Sequence, residues 1–234
     1  MELATNIEPR PGAVVSEVEQ RLGHLMMRHH PFFQRADAKD PRFLRTMLQL
    51  GFEFSEVLGR YLTLLAHRLW DTNKPVVSIL VSQVHDELGR GKFTDDGHPN
   101  LYRDMVKGLE AWADGAAMEF MREPQKRLIQ ELKQCLGSDD VDQSLGAYVG
   151  TEIIASDITV HISQVMGRLG LSEEAMRWSQ CHAVVELEHV QGIYEVPHHL
   201  PQDPERLRQF WGAAEEMMRA MWRYFDALNR FSFA

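Results

Sequence analysis

Apolar residues recur along this chain at intervals of three and four, the spacing that lines one face of an α-helix. No segment shows the Val/Ile/Thr-rich alternation of a half-buried strand, so the pattern predicts an all-α fold. Helices are expected near 12–29, 41–49, 52–70, 75–89, 99–113, 115–136, 141–168, 172–194 and 204–230, with a reset of the sixth at Pro124. Several starts carry a capping side chain followed by proline or acids: Asp40 before Pro41, Asn73 before Pro75, Ser172 before Glu173 and Glu174, and Asp203 before Pro204 and Glu205. The clearest breaks are Gly89 to Gly97 and Pro197 to Pro201, and neither has the composition of a flexible linker. Residues 1–234 therefore read as a single domain without internal repeats.

Composition narrows the class. At 234 residues and 27.0 kDa, with 44% hydrophobic and 25% charged residues, the chain is long enough to bury a sizeable core. A net charge of −9 disfavours a phosphate backbone as partner, because such binding needs clustered Lys and Arg. The first ten residues lack a basic stretch leading into an apolar run, and no segment reaches the roughly 18 uninterrupted apolar residues of a membrane span. A cytoplasmic protein is expected. Its two cysteines, Cys135 and Cys181, make neither a disulfide framework nor a C-x-x-C pattern.

Three stretches carry candidate chemistry. In Cys181-His182-Ala183-Val184-Val185-Glu186-Leu187-Glu188-His189, the residues His182, Glu186 and His189 fall at i, i+4 and i+7 and share one face of a largely apolar helix. Buried there, an acid and two imidazoles need a partner, and a metal ion is one; a hydrogen-bonded or solvated face is the alternative. Glu152 stands alone amid apolar and small residues, where a buried carboxylate calls for a cation, with an arginine-capped, partly exposed acid as the alternative. Ala155, Ser156, Thr159 and Ser163 on its face are small, which leaves room for a substrate or a close helix. Glu87 ends an apolar helix, Gly89 and Gly91 break it, and His98 precedes the Pro99 of the next, so a turn there can bring Glu87 and His98 together.

Taken together and in this order, the three stretches resemble the haem-oxygenase-like di-iron oxidases, often described as iron-containing redox enzymes. The string Asp86-Glu87-Leu88-Gly89-Arg90-Gly91 through His98-Pro99-Asn100-Leu101-Tyr102-Arg103 is similar to that family's first ligand region, Glu152 to its second, and His182, Glu186 and His189 to its third. Glu186 stands where many members have Asp. The resemblance covers roughly residues 75–195 and implies a haem-oxygenase-like bundle of seven to nine helices. It implies a metal set of Glu87, His98, Glu152, His182, Glu186 and His189, all but His98 with a catalytic role. It further implies two Fe(II) ions, dioxygen as co-substrate, and a small metabolite oxidised by desaturation, C–C cleavage or N-oxygenation in natural-product biosynthesis. An external electron donor and a homodimer are compatible with it.

The donor types agree. Imidazoles and carboxylates suit Fe(II) or Mn(II), no thiolate set selects zinc, and two Fe(II) ions nearly balance three carboxylates. Six ligands leave positions open for dioxygen and substrate. Glu186 and His189 also form one Glu-x-x-His unit of the kind ferritin-like bundles use in pairs, but the only other copy, Glu195 to His198, is interrupted by Pro197. His29, His30, His198 and His199 read as structural, His85 as facing away from Glu87, and His161 as roughly 13 Å along the helix from Glu152. The cluster of Met217, Met218, Met221, Trp222 and Phe225 reads as core or dimer packing. Arg90, Arg103 and Lys107 are candidate anchors for a substrate carboxylate. Within the same fold, a thiaminase-II-like hydrolase would need Cys181 as nucleophile, a quinone-synthase-like enzyme would need no cofactor, and a helical binding module would bind no metal.

Overall fold

The computed structural model describes residues 11–89 and 96–233, with side chains given for all of these except 11–16, 50–52, 183–188 and 190. Ten α-helices run in the order α1 (Pro11–Leu22), α2 (Pro31–Gln34), α3 (Pro41–Met47), α4 (Gly51–Leu69), α5 (Lys74–Glu87), α6 (His98–Gly108), α7 (Gly115–Leu136), α8 (Val141–Met166), α9 (Glu173–Glu195) and α10 (Pro204–Asn229), and no strand occurs among the described residues. The four expected caps are all made: Asp40, Asn73, Ser172 and Asp203 accept hydrogen bonds from backbone N–H groups in the first turns of α3, α5, α9 and α10. No helix of the described residues is long and apolar enough to cross a membrane.

Two expectations change. The helix expected over 12–29 stops at Leu22, where Gly23 begins a 3₁₀ turn and Met26 is non-helical (φ −58°, ψ 137°) before a second turn at Met27–His29. Glycine costs about 1 kcal/mol in a helix interior, enough to end a marginal run. Pro124 causes no reset: α7 runs unbroken from Gly115 to Leu136. The carbonyl deprived of its donor belongs to Phe120, which is 44% exposed, so water can serve it.

α8 is the hub. Every residue from Ser144 to Ile154 is buried, so this stretch of the helix is enclosed on all sides. Its most extensive neighbour is α10, with α9 packed on another side. The α8–α10 approach depends on Gly146 and Gly150, one turn apart on one face: a Cβ at Gly146 would lie 1.9 Å from the Phe210 carbonyl oxygen, and at Gly150 2.4 Å from that of Ala214. Across the bundle, the buried Tyr148 hydroxyl donates to Gln83 on α5 at 2.6 Å. The methionine cluster of α10 is core, with Met217 and Met218 fully buried.

Two buried histidines serve the fold. His30 caps α2, its Nδ1 accepting from Phe32 N while Nε2–H donates to the Trp222 carbonyl. His161 Nε2–H donates to the Ala38 carbonyl at 3.2 Å, and burial pushes its pKa down to about 4.

The folded chain holds His161 neutral while the unfolded chain, with an ordinary value near 6.5, takes up a proton. Stability is therefore full above about pH 6.5 and falls as the pH drops towards 4, by about 3 kcal/mol from this residue. Urea denaturation across that range should show the loss, and His161→Gln should flatten the slope. Gly146→Ala should destabilise by about 1–3 kcal/mol, because backbone on α10 must move. Gly212→Ala, whose Cβ meets nothing within 4 Å, should stabilise by about 0.5–1 kcal/mol in the same assay.

Candidate metal centre

The site is built from the ends and middles of four helices. Glu87 closes α5, and its Oε2 accepts a hydrogen bond from the Ser55 hydroxyl on α4. The chain then turns at Gly89, whose φ of +73° is open to glycine at little cost. Gly97 is pressed onto the end of α5, where a Cβ would fall 2.6 Å from the Glu87 carbonyl oxygen. Two glycines thus return the chain to its starting point, and His98, first residue of α6, lands with Nδ1 3.1 Å from Glu87 Oε1. His98 is buried, and its Nε2 has no hydrogen-bond partner among the described residues.

From α9, the buried His182 joins this pair. Its Nδ1–H donates to the Trp178 carbonyl one turn back at 2.8 Å, and its ring stacks on the Trp178 indole at 3.8 Å between centroids. The carbonyl can only accept, so Nδ1 carries the proton and Nε2 keeps its lone pair. Its ring centroid lies 4.5 Å from that of His98. Two turns further along α9, His189 stands 6.5 Å from His98 between centroids, and its Nε2–H donates to Asp86 Oδ2 at 2.9 Å. Glu152 comes from the enclosed stretch of α8 and is 4% exposed.

One cavity of about 110 Å³ is lined by Glu87, His98, Glu152, His182 and His189 together. Five of the six residues singled out from sequence therefore meet at one place; the sixth, Glu186, lies outside the described side chains. A larger groove of about 370 Å³ between α7 and α10 holds none of them, and its Arg127 and Arg223 are both paired with Glu131.

Electrostatics sorts the imidazoles. Burial works against charge on His98, but the Glu87 carboxylate and the Cys181 side chain outweigh it and push the pKa up to about 10. Burial, reinforced by His98 beside it, holds His182 well below its ordinary value. In the metal-free chain a proton on His98 thus balances Glu87. A divalent cation in the cavity would replace that proton, meet the lone pair of His182 and occupy the unpartnered Nε2 of His98 or its Nδ1. By donor chemistry the residues fit iron: three imidazoles and two carboxylates around a buried space.

Other candidates fall elsewhere. His161 is turned to Ala38, His85 is exposed, and His29, His198 and His199 lie off the cavity. Arg103 and Lys107 are exposed and line neither this cavity nor its neighbour, while Arg90 lies outside the described residues. Sequence reasoning missed Asp86, Ser55 and Trp178 as supports. Asp86 is one step of about 100° around the helix from Glu87. Its role depends on α9 packing against α5, which no local pattern reveals. Cys181 is unpaired by any disulfide and half-buried, and its sulfur lies within 4.8 Å of donor nitrogens of both His98 and His182.

No curated protein matches the chain. Two crystal structures of a CADD-like protein of unknown function from Nostoc punctiforme share the fold. One has a TM-score of 0.73 at 16% identity, covering 94% of this chain and 97% of that one; the other has 0.69 at 14%, covering 96% and 99%. The model of the iron-containing redox enzymes matches residues 45–222, a span from α3 into α10 that includes all six candidate ligands. The chain belongs to the iron-containing redox enzyme family.

Proposed function

We propose that this iron-dependent oxidoreductase is a non-haem di-iron enzyme that uses dioxygen to oxidise a small metabolite, by desaturation, C–C cleavage or N-oxygenation in a biosynthetic pathway. The observation that carries the reading is the meeting of Glu87, His98, Glu152, His182 and His189 around one buried cavity. Glu186, at the position between His182 and His189 in sequence, completes the proposed ligand set. Glu87, His98, Glu152, His182, Glu186 and His189 would hold the iron, which when bound would supply the redox chemistry towards dioxygen. Mn(II) would suit the same donors.

The chain's own residues prepare that chemistry. Ser55 orients Glu87, the Trp178 carbonyl fixes the tautomer of His182, and Asp86 holds the ring of His189. Phe54, Leu58 and Tyr102 give the cavity an apolar wall beside the donors. An external donor returns the electrons spent in each turnover that the substrate does not supply.

Anaerobic addition of Fe(II) should give about two iron ions per chain and dioxygen uptake on exposure to air. His182→Ala and Glu152→Ala should each lose at least half of the iron. Retention of full iron by both variants, or no iron in the parent protein, would overturn the reading. Asp86→Asn should weaken iron binding about 10–100-fold without removing a ligand, measured by competition with a chelator.

One observation favours a second reading, a cysteine hydrolase of the same fold: Cys181 beside His98 and His182. Cys181→Ser separates the two. Under the di-iron reading it leaves iron content and dioxygen uptake in place, and under the hydrolase reading it abolishes the activity.

A further inference from the structure

A second cavity, also about 110 Å³, lies beside the metal cavity and shares with it the walls made by Phe54, Tyr102, Ala155, Thr159 and Trp178. Beyond that neck its lining is almost wholly apolar, with Ile158 and Ile162 from α8, Met221 and Phe225 from α10, and Met47 from α3. The two tyrosines that line it turn their hydroxyls away into backbone: Tyr102 donates to the Leu48 carbonyl and Tyr224 to that of Met47. No charged side chain lines it among the described residues. Such an apolar lining favours a hydrocarbon group over water.

Its position along α8 gives it a direction. Glu152, Ala155, Thr159 and Ile162 follow one another at intervals of three and four, so they form one stripe. The stripe starts at the carboxylate, passes the neck at Ala155 about 4.5 Å on, and ends at Ile162 about 10 Å beyond that. On α8, the small Ala155 and Thr159 stand at the neck and the branched Ile158 and Ile162 line the space beyond. A molecule seated here would place one end beside the metal donors and its other end among Ile162, Met221 and Phe225.

We propose that this chamber is the substrate's side-chain site and selects an apolar group of about four or five carbons, such as a branched alkyl chain. The size follows from the volume: a cavity of roughly 150 Å³ holds benzene, so the apolar space of about 110 Å³ is filled by slightly less. Each carbon taken from water into such a space strengthens binding about fourfold until the chamber is full. The reacting position is then the atom next to that group, at the level of Ala155. For the identity of the reaction this inference rests on the di-iron reading; the chamber itself can be probed without metal.

The test is isothermal titration of the whole protein, metal-free and anaerobically Fe(II)-loaded, with straight-chain primary alcohols from ethanol to octanol. Affinity should rise about fourfold per carbon to about pentanol and then level or fall. Ala155→Phe, which closes the neck, should abolish the gain with chain length. Ile162→Ala, which removes the end wall, should move the break to a longer alcohol, and it decides the matter if the first variant fails to fold. A rise that continues to octanol in the parent protein, a flat series, or a folded Ala155→Phe variant with an unchanged series would overturn the proposal. If the break persists in metal-free protein that binds no iron, the chamber stands and the oxidase reading falls. If iron binds and the series is flat, the chamber alone falls.

Discussion

Placing Glu152 on the most enclosed helix of the bundle is the constraint from which the rest of the molecule follows. A carboxylate removed from water costs several kcal/mol unless cations or donors surround it, and a stretch of helix buried on all sides offers few routes by which they can arrive. The chain meets that demand from other helices: imidazoles from α6 and α9 converge on the same cavity, and a second carboxylate, Glu87, comes with its own balancing proton on His98. With no metal bound, a proton on His98 balances Glu87, and a divalent cation in the cavity would take over that role and meet Glu152 as well. An apolar core is thereby able to hold a polar site.

Packing around α8 divides its faces between two tasks. On the α10 side, Gly146 and Gly150 bring backbone against backbone. On the donor side, Ala155 and Thr159 are too small to fill the space between helices, and the cavities form there. The same α10 that locks onto the glycines sends Met221 and Phe225 to wall the far chamber. Support and the walls of the cavities are therefore coupled through one helix pair, and substitutions at the glycines are expected to disturb both.

How much of this was legible in the chain depends on the range of each signal. Helix class, four caps and the His182, Glu186 and His189 spacing are local patterns, written within a turn or two. Glu152 was visible as a lone acid in an apolar run, and the small residues after it as room for something. The pairing of His98 with Glu87 was harder to read, because it depends on a positive φ at Gly89 and a tight contact at Gly97. Asp86 bonds His189 across 103 residues, and the apolar chamber needs α3, α8 and α10 at once. Neither has a local trace. The expected anchors Arg103 and Lys107 point to solvent because their helix turns its apolar face, with Leu101 and Met105, to the core.

The central claim is that the converging donors hold two iron ions in one cluster. Mössbauer spectroscopy of the anaerobically loaded and then air-oxidised protein, prepared with isotopically enriched iron, tests it most directly. The account predicts a pair of coupled ferric ions with a diamagnetic ground state, lost together in Glu152→Ala. Isolated paramagnetic ferric ions, or iron that Glu152→Ala leaves undisturbed, would contradict it.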